Sequence, residues 1–224
     1  DILHRQISIH ILKIKHLFLY LIYRKYNSMS RTSVIYIEYR KNPNSPWRWV
    51  RPLMPEDDVR WAEKEPNKKA LLWTNDKGDV IQFTFADIKR ESDKTASFFA
   101  SQGIGRGDMV MLILKRHYQF WFSIVALHKL GATVIPATHL LTEKDIIYRC
   151  ERAGIKAIVT SGDEVVVNHI EKALPKCPSI KCLVSTGPVV PEGWYDFNAE
   201  IEKAAPFVRP ELANTNDDVS LMYF

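Results

Sequence analysis

Short, mainly apolar runs alternate with longer stretches of mixed apolar and polar residues along residues 61–224. Short apolar runs lie at 109–114, 132–137, 155–160 and 180–185. Runs of this length are typical of strands that are buried on both faces of a parallel sheet. The stretches between them repeat apolar residues at helical spacing, which predicts helices. The alternation therefore predicts an α/β fold with a mostly parallel sheet flanked by helices.

Capping residues mark the boundaries of these helices. Thr84 and Asp87 fit a capping box at the start of one helix, and Gly103 stands where a left-handed residue would end it. Ile88, Ser92, Thr95, Ala96 and Phe99 are expected to share one face of this helix. The other boundary signals are Gly131, Thr142, Asp145 and Gly154.

Three segments lie outside the regular alternation. Ala70–Trp73 and Val80–Phe83 flank Asn-Asp-Lys-Gly-Asp, which predicts a β-hairpin. Residues 42–58 hold four prolines and are the plausible linker. Val219–Phe224 predicts a buried strand, and the printed sequence ends at the carboxyl end of that strand. Ligands bind at the carboxyl ends of strands in such sheets, so the next loop is expected to carry chemistry.

Charge divides the chain into a basic leader and a mildly acidic body. Residues 1–52 carry ten Lys or Arg and two Asp or Glu, although the whole chain has a net charge of +5. The leader, residues 1–58, has three open interpretations: a membrane-surface segment, an ordinary N-terminal extension, or a translation of sequence that is not natural protein. Membrane contact is the least favoured of the three, because His and Lys interrupt its apolar run well short of about 20 residues.

The composition of the body argues against several classes of partner and site. It has no basic stripe with interleaved aromatic residues, so nucleic acid is an unlikely partner. Cys150, Cys177 and Cys182 are too few for a disulfide framework and lack the spacing of zinc ligands. Reduced thiols predict a cytoplasmic protein. No metal site and no pair of nucleophile and base is visible, so we predict no catalytic residue in this chain.

Two short basic or glycine-containing stretches are candidates for ligand contact. Gly103–Asp108 lies between a helix and a strand, whereas a phosphate-binding loop follows a strand and precedes a helix. We therefore interpret it as a tight connection. Lys115, Arg116 and His117 follow a strand, where they face either a ligand phosphate or the solvent. The sequence leaves that choice open.

The body resembles the AMP-forming acyl-CoA synthetases, a branch of the adenylate-forming enzymes. The resemblance is carried by residues 83–114, "FTFADIKRESDKTASFFASQGIGRGDMVMLIL", by residues 120–149, "FWFSIVALHKLGATVIPATHLLTEKDIIYR", and by residues 153–164, "AGIKAIVTSGDE". Residues 162–185 and 193–204 are similar to the medium-chain branch. The resemblance extends over residues 61–224, which implies part of the large N-terminal domain of such an enzyme.

This resemblance implies an activity, its substrates and one binding loop. A fatty acid reacts with ATP and Mg²⁺ to give acyl-AMP and pyrophosphate, and the thiol of CoA then displaces AMP. The loop Thr138–His139–Leu140 matches a family position close to CoA, although other members carry a polar residue where Leu140 stands. In the family, the strand resembling Val219–Phe224 leads directly into the loop that binds the ATP phosphates. We therefore expect residues 1–224 alone to be inactive.

The sequence keeps three alternatives open beside this interpretation. The first is a half-domain that serves as an interaction module without catalysis. The second is a fragment of another adenylating enzyme, one that acts on aryl acids or amino acids. The third is a protein anchored to a membrane by the basic leader.

Overall fold

The computed structural model describes residues 55–75, 77–210 and 218–224. For residues 55–59 it describes the backbone alone. Most of the basic leader lies outside the described residues. The three interpretations of the leader therefore concern residues that the structure does not describe. Within the described part of the chain, no helix has both the length and the apolar character needed to cross a membrane.

Helices and strands alternate as the hydrophobic pattern predicts. The helices are α1 (Pro55–Lys64), α2 (Phe85–Ser101), α3 (Gln119–Leu130), α4 (Glu143–Ala153), α5 (Glu164–Ala173) and α6 (Phe197–Lys203), with a short 3₁₀ helix at Leu174–Lys176. The strands are β1 (Lys69–Thr74), β2 (Val80–Thr84), β3 (Met109–Ile113), β4 (Thr133–Pro136), β5 (Ala157–Thr160), β6 (Cys182–Ser185) and β7 (Tyr195–Asp196).

Five of these strands form one parallel sheet in the order β4-β3-β5-β6-β7. The chain moves outward from β3 to β4 and then returns to β5, on the other side of β3. The open side of β4 is covered by residues 218–224, which run parallel to it and form a single bridge between Leu221 and Val134. The parallel sheet confirms the predicted α/β class.

Two apolar layers cover the faces of this sheet, because its strands carry buried apolar residues on both sides. On one face, Leu112 and Val159 pack against α2, α3 and α6. On the other face, Ile113 and Ile158 pack against α4 and α5. The result is a three-layer arrangement, with the loops after β3, β4 and β5 leading to helices on one face or the other.

The hairpin of β1 and β2 stands apart from this sheet and packs against the start of α3. Its strands pair antiparallel, as the turn sequence predicts. The rings of Trp73 and Phe83 lie 5.3 and 5.0 Å from the ring of Tyr118. The Trp73 indole also donates a hydrogen bond of 2.6 Å to the carbonyl of Arg116. These contacts fix the loop that follows β3.

The predicted helix boundaries are confirmed by their hydrogen bonds. The Asp87 backbone N–H donates to the Thr84 hydroxyl, and the Thr84 backbone N–H donates to the Asp87 carboxylate. These bonds lower the pKa of Asp87, the largest cause being the one from the Thr84 backbone. Thr142 and Asp145 form the same box at the start of α4. Gly131 and Gly154 end their helices in the left-handed conformation, and Gly103 follows the end of α2 with φ 74°.

A buried ion pair joins α2 to α3. The Lys129 side chain is almost fully buried, and its Nζ donates to Ser92 Oγ and to Asp93 Oδ1, both at 2.8 Å. Asp93 also accepts from Lys89. The predicted apolar face of α2 is confirmed, since Ser92 and its neighbours on that face are buried or packed against the core.

Three predictions from the sequence are corrected. Residues 55–58 belong to α1 and not to a linker; Pro55 stands at the first helical position, which suits proline. Val219–Phe224 is not a buried strand, because it pairs on one side only and leaves Tyr223 71 % exposed. The pattern of residues 194–204 predicts a helix, but Tyr195 and Asp196 pair with β6 as strand β7, and α6 begins only at Phe197.

The three cysteines are buried free thiols. Cys150 and Cys177 lie in the apolar layer beneath α4 and α5, whereas Cys182 lies on the opposite face. Burial raises the pKa of Cys150, and it raises the pKa of Cys182 to about 12. Thiols with such pKa values are poor nucleophiles at neutral pH, so these residues serve as small core side chains.

Candidate functional site

The carboxyl edge of the parallel sheet gathers the loops that follow β3, β4, β5 and β6. Because β3 lies between β4 and β5, the loops after β3 and β5 lead to helices on opposite faces of the sheet. Such a change of direction leaves a crevice at the carboxyl ends of the strands, the usual binding place in α/β sheets. Two parts of this edge differ in construction and are described in turn.

The first part, the closed crevice, consists of residues 114–117, 160–163 and 185–187, at the ends of β3, β5 and β6. Lys115 Nζ lies 2.8 Å from Asp163 Oδ2, so an ion pair joins the two loops. This hydrogen bond from Lys115 is the largest cause that lowers the pKa of Asp163. Lys115 has φ 46°, a left-handed conformation that costs a residue with a side chain some free energy. The ion pair therefore holds the Lys115 side chain against Asp163.

The other two basic residues of this loop are also tied to neighbours. Arg116 accepts the hydrogen bond from Trp73 at its carbonyl, and the His117 backbone N–H donates to the Leu114 carbonyl at 2.8 Å. Burial lowers the pKa of His117, and the charge of Lys115 lowers it further. His117 is accordingly uncharged at neutral pH. Neither interpretation of this stretch, a ligand phosphate or the solvent, describes Lys115, because its Nζ is paired with Asp163.

Two glycines allow the loops after β5 and β6 to touch. A Cβ on Gly187 would lie 1.9 Å from the Ser161 carbonyl oxygen. A Cβ on Gly162 would lie 2.6 Å from Ser185 Oγ and 2.8 Å from the Cα of Gly187. Real Cβ atoms do not approach other atoms this closely, so larger residues would force the loops apart. This side of the edge is packed backbone against backbone.

The second part, the open loop, is Thr138–His139–Leu140 after β4. All three residues are exposed, and the Leu140 side chain is 74 % exposed. The Leu140 N–H donates to Thr138 Oγ1 at 3.3 Å, and the Leu141 N–H donates to the Thr138 carbonyl at 3.4 Å. This turn presents a hydroxyl, an imidazole and an apolar side chain to solvent at the carboxyl edge.

Residues 218–224 reach the same edge beside the open loop. The Val134 N–H donates to the Ser220 carbonyl at 3.0 Å, and the Met222 N–H donates to the Val134 carbonyl at 2.9 Å. Because the pairing is parallel, Phe224 arrives at the level where β4 gives way to the open loop. Local patterns in the sequence carry no signal for this meeting, because it depends on a pairing between Val134 and the distant Leu221.

Two residues of α4 hold the end of this segment. The Phe224 ring lies 6.0 Å from the Tyr148 ring, in an edge-to-face arrangement, and 5.3 Å from the Arg149 guanidinium. Arg149 is oriented by a hydrogen bond of 3.1 Å to the Asp145 carbonyl. The sequence analysis missed Tyr148 and Arg149, which follow the open loop on the next helix.

The glycine-containing connection before β3 is occupied by internal contacts. Arg106 forms two bonds of 2.8 and 3.0 Å to the carboxylate of Asp218. Asp108 accepts from the Gly105 N–H and from Lys156 Nζ, at 2.8 and 2.9 Å. These contacts fit the predicted tight connection, and they also anchor the start of the segment that ends at Phe224.

The described residues differ in how well they suit each implied ligand. Among them, no group of three or more His, Cys, Asp or Glu side chains is placed to hold a metal ion. We assign no step through Mg²⁺ to these residues. The open loop, by contrast, offers hydrogen-bonding groups beside the apolar Leu140. That set suits a ligand with amide groups and apolar segments, such as the pantetheine arm of CoA.

Comparisons with known proteins agree with this geometry. The model of a family described as "AMP-binding enzyme" matches residues 59–224. The chain belongs to the family of AMP-binding enzymes. This match includes the whole parallel sheet, the open loop and the segment beside it.

Curated relatives that this chain matches are acyl-coenzyme A synthetases. It is 34 % identical over 152 residues to mouse ACSM4 and 32 % identical over 152 residues to human ACSM1, both named mitochondrial. Each match covers 65 % of this chain and 26 % of the relative. The chain thus spans about a quarter of the length of the curated relatives that it matches.

Solved structures share the fold of this chain. An acyl-CoA synthetase from Brucella canis superposes with a TM-score of 0.63 at 22 % identity, covering 74 % of this chain and 30 % of that one. The anthranilate CoA ligase AuaEII, solved with anthranoyl-AMP, gives 0.63 at 20 % identity, covering 73 % and 31 %. The fold is therefore that of adenylate-forming enzymes, as the resemblance in sequence implied.

Proposed function

We propose that residues 59–224 form the first part of the adenylating domain of an acyl-CoA synthetase. The complete protein would convert a fatty acid, ATP and CoA into acyl-CoA, AMP and pyrophosphate. The family membership and the names of the curated relatives support this proposal. The observation that carries it is the open loop, which lies at the carboxyl edge of the sheet within the residues that the family model matches and is exposed to solvent.

The proposed reaction has two displacements. A carboxylate oxygen of the acid forms a bond to the α-phosphorus of ATP, and the bond to pyrophosphate breaks. The sulfur of CoA then forms a bond to the acyl carbon, and AMP leaves with the electrons of the broken acyl bond. Both displacements depend on positioning and on neutralising charge. ATP and Mg²⁺ are assigned to the complete protein, as the resemblance to the family implies.

The role that we propose for this part of the chain is to form one wall of the CoA site. Thr138 and His139 would bond the amide-bearing arm of CoA, and Leu140 would contact its apolar part. Their own turn holds them in place through the Thr138 hydroxyl, which accepts from the Leu140 N–H. Small molecules are therefore the expected partners. Nucleic acid and membrane contact by the leader remain unlikely on the sequence argument.

A chimera tests this proposal directly. Residues 59–224 would replace the matching stretch of the human relative, and acyl-CoA formation with a medium-chain fatty acid would be measured. We expect a folded chimera that forms acyl-CoA and releases pyrophosphate. A folded chimera that binds ATP and yet forms no acyl-CoA would contradict the proposal, and would favour an interaction module. The parent enzyme and an inserted fragment of unrelated fold serve as controls.

We also propose that residues 1–224 by themselves form no acyl-CoA. This proposal rests on the resemblance, because members of the family carry the phosphate-binding loop and the AMP-binding residues in segments that follow the stretch matching residues 61–224. The purified chain would be assayed with ATP, Mg²⁺, CoA and fatty acids of several lengths. Formation of acyl-CoA above the level of a heat-denatured sample would contradict this proposal.

The location of the complete protein is proposed as cytoplasmic from its reduced cysteines. The curated relatives are named mitochondrial, which supplies the competing location. Fractionation of cells that express the native gene with a C-terminal tag decides between them. Recovery of the tagged protein with the mitochondrial matrix would replace the cytoplasmic proposal.

A further inference from the structure

Five buried side-chain oxygens near the carboxyl edge have no hydrogen-bond partner among the described residues. Thr160 Oγ1 is one of them, and the alternation of side chains along β5 directs it to the face that α4 and α5 cover. The other four are Gln119 Oε1, Ser123 Oγ, Ser161 Oγ and Thr186 Oγ1. Gln119, Ser123 and Ser161 are at most 4 % exposed as whole residues. Buried polar groups are almost always paired with protein or with ordered water, so these unpaired ones require an explanation.

Two of these four oxygens lie side by side on the sheet. The Ser161 N–H donates to the Ile113 carbonyl, and the Thr186 N–H donates to the Thr160 carbonyl, so both residues extend their strands by one position. Side chains alternate along a strand, and Val159 and Val184 face α3 and α6. Ser161 and Thr186, two positions later, point to that same face.

The other two oxygens lie on the helix that covers this face. Gln119, Ser123, Ala126 and Leu130 share one stripe of α3, because residues three and four apart are neighbours on a helix. Ala126 and Leu130 on that stripe pack against the sheet. The N-terminal end of the stripe lies at the carboxyl edge, since α3 begins where β3 ends. Gln119 Nε2 also donates to Asn198 Oδ1 of α6 at 3.3 Å.

We propose that these four residues, the buried polar layer, hold ordered water between α3 and the ends of β5 and β6. A buried water needs two to four polar partners, and the layer offers four within one face of the sheet. Its groups are hydroxyls and one amide oxygen, without a charged side chain, which suits an uncharged ligand. The burial of its members suits a ligand as small as water.

This water has a structural consequence for the closed crevice. It links the first turn of α3 to the loops after β5 and β6, which Gly162 and Gly187 allow to touch. The water would therefore hold the two loops against the helix that begins after Lys115. The inference is independent of the enzymatic activity proposed above.

A crystal structure of the complete chain at high resolution gives the direct test. We expect density for a water within hydrogen-bond distance of at least two of the four oxygens. A layer in which the four oxygens bond one another, or in which apolar atoms fill the space, would overturn the proposal.

Stability measurements supply a second test. Thr186→Val and Ser161→Ala each remove one hydrogen-bond partner of the water. Each substitution should therefore lower Tm by about 2–4 °C. If no water is bound there, the same substitutions should leave Tm unchanged or raise it, because removing an unpaired buried polar group is neutral or stabilising. An unchanged or raised Tm in both variants would therefore overturn the proposal.

A matched control separates this effect from the general cost of replacing serine. Ser101→Ala removes an exposed hydroxyl that bonds the Phe98 carbonyl in α2. We expect its Tm to change by less than that of Ser161→Ala. The double variant Ser161→Ala/Thr186→Val should lose less than the sum of the single losses, because both hydroxyls bind the same water. Strict additivity would count against a shared water.

Discussion

The closed crevice and the open loop lie on the same edge of one sheet, and they are built in opposite ways. In the crevice, Lys115 is paired with Asp163, and glycine allows backbone to touch backbone. In the open loop, Thr138 and its two neighbours are exposed, and the bonds that the loop makes are those of its own turn. An α/β sheet can thus seal one part of its binding edge and leave another part free.

This difference shows which part of the edge is available to a ligand. A crevice at the change of strand direction is the place where α/β sheets usually bind ligands. Here that place is filled by an ion pair and by close backbone contacts, so the neighbouring loop after β4 becomes the better candidate. The segment that ends at Phe224 leads to this loop as well.

The largest expected effect comes from opening the closed crevice. Gly187→Ala places a Cβ against the Ser161 carbonyl and should lower the free energy of unfolding by about 3 kcal/mol, because backbone must move. Urea unfolding of the complete chain measures this. Gly105→Ala is the control, since a Cβ there meets nothing within 4 Å. Equal stability of the two variants would show that the loops are not closely packed.

The next effect is on activity and concerns the open loop. In the chimera, His139→Ala should lower kcat/KM for CoA about tenfold, the loss expected for one hydrogen bond made to the substrate. The free energy of unfolding should change by less than about 0.5 kcal/mol, because His139 is exposed. Steady-state kinetics with CoA and with ATP as the varied substrate separate the roles. An equal loss for both substrates would place His139 outside the CoA site.

A smaller effect concerns the ion pair of the closed crevice and its pH dependence. Lys115 lowers the pKa of Asp163 in the folded chain, so the pair stabilises the fold above the unfolded pKa of about 4. That contribution is lost as the pH falls through the depressed pKa of Asp163. Lys115→Met should cost about 0.5 kcal/mol at pH 7, since both partners are about one-third exposed, and nothing at pH 2. A cost that does not depend on pH would refute the pairing.

The smallest effect is expected at Leu140. Leu140→Ser should change the free energy of unfolding by less than about 0.5 kcal/mol, because the side chain is 74 % exposed. Thermal unfolding checks this, with the buried Leu141 changed to Ser as the control that should lose much more. A large loss in Leu140→Ser would mean that the loop is part of the core.

Local signals in the sequence were sufficient for much of the fold. Thr84 and Asp87 lie three residues apart, and their capping box depends on nothing more distant. Gly154 ends α4 for an equally local reason, since it adopts φ 60°. Buried strands such as β3 are apolar on both faces. A continuous apolar run in the sequence therefore predicts such a strand even when the adjacent strands of the sheet are not known.

What the sequence did not reveal depends on partners far along the chain. Val219–Phe224 is apolar enough for a core strand, but it pairs on one side only and stays partly exposed. The contact of Arg149 with Phe224 and the closeness of Gly187 to Ser161 follow from strand order, which local patterns do not contain. The open loop itself was predicted by resemblance, and its role with CoA stays a prediction.

Hydrogen–deuterium exchange of the chimera with and without CoA tests the central claim most directly. The account predicts that bound CoA slows exchange at the backbone amides of residues 138–140 and leaves residues 115–117 and 161–163 unchanged. If CoA binds and instead protects residues 161–163, while residues 138–140 exchange as before, the closed crevice would be the CoA site and the account would be wrong.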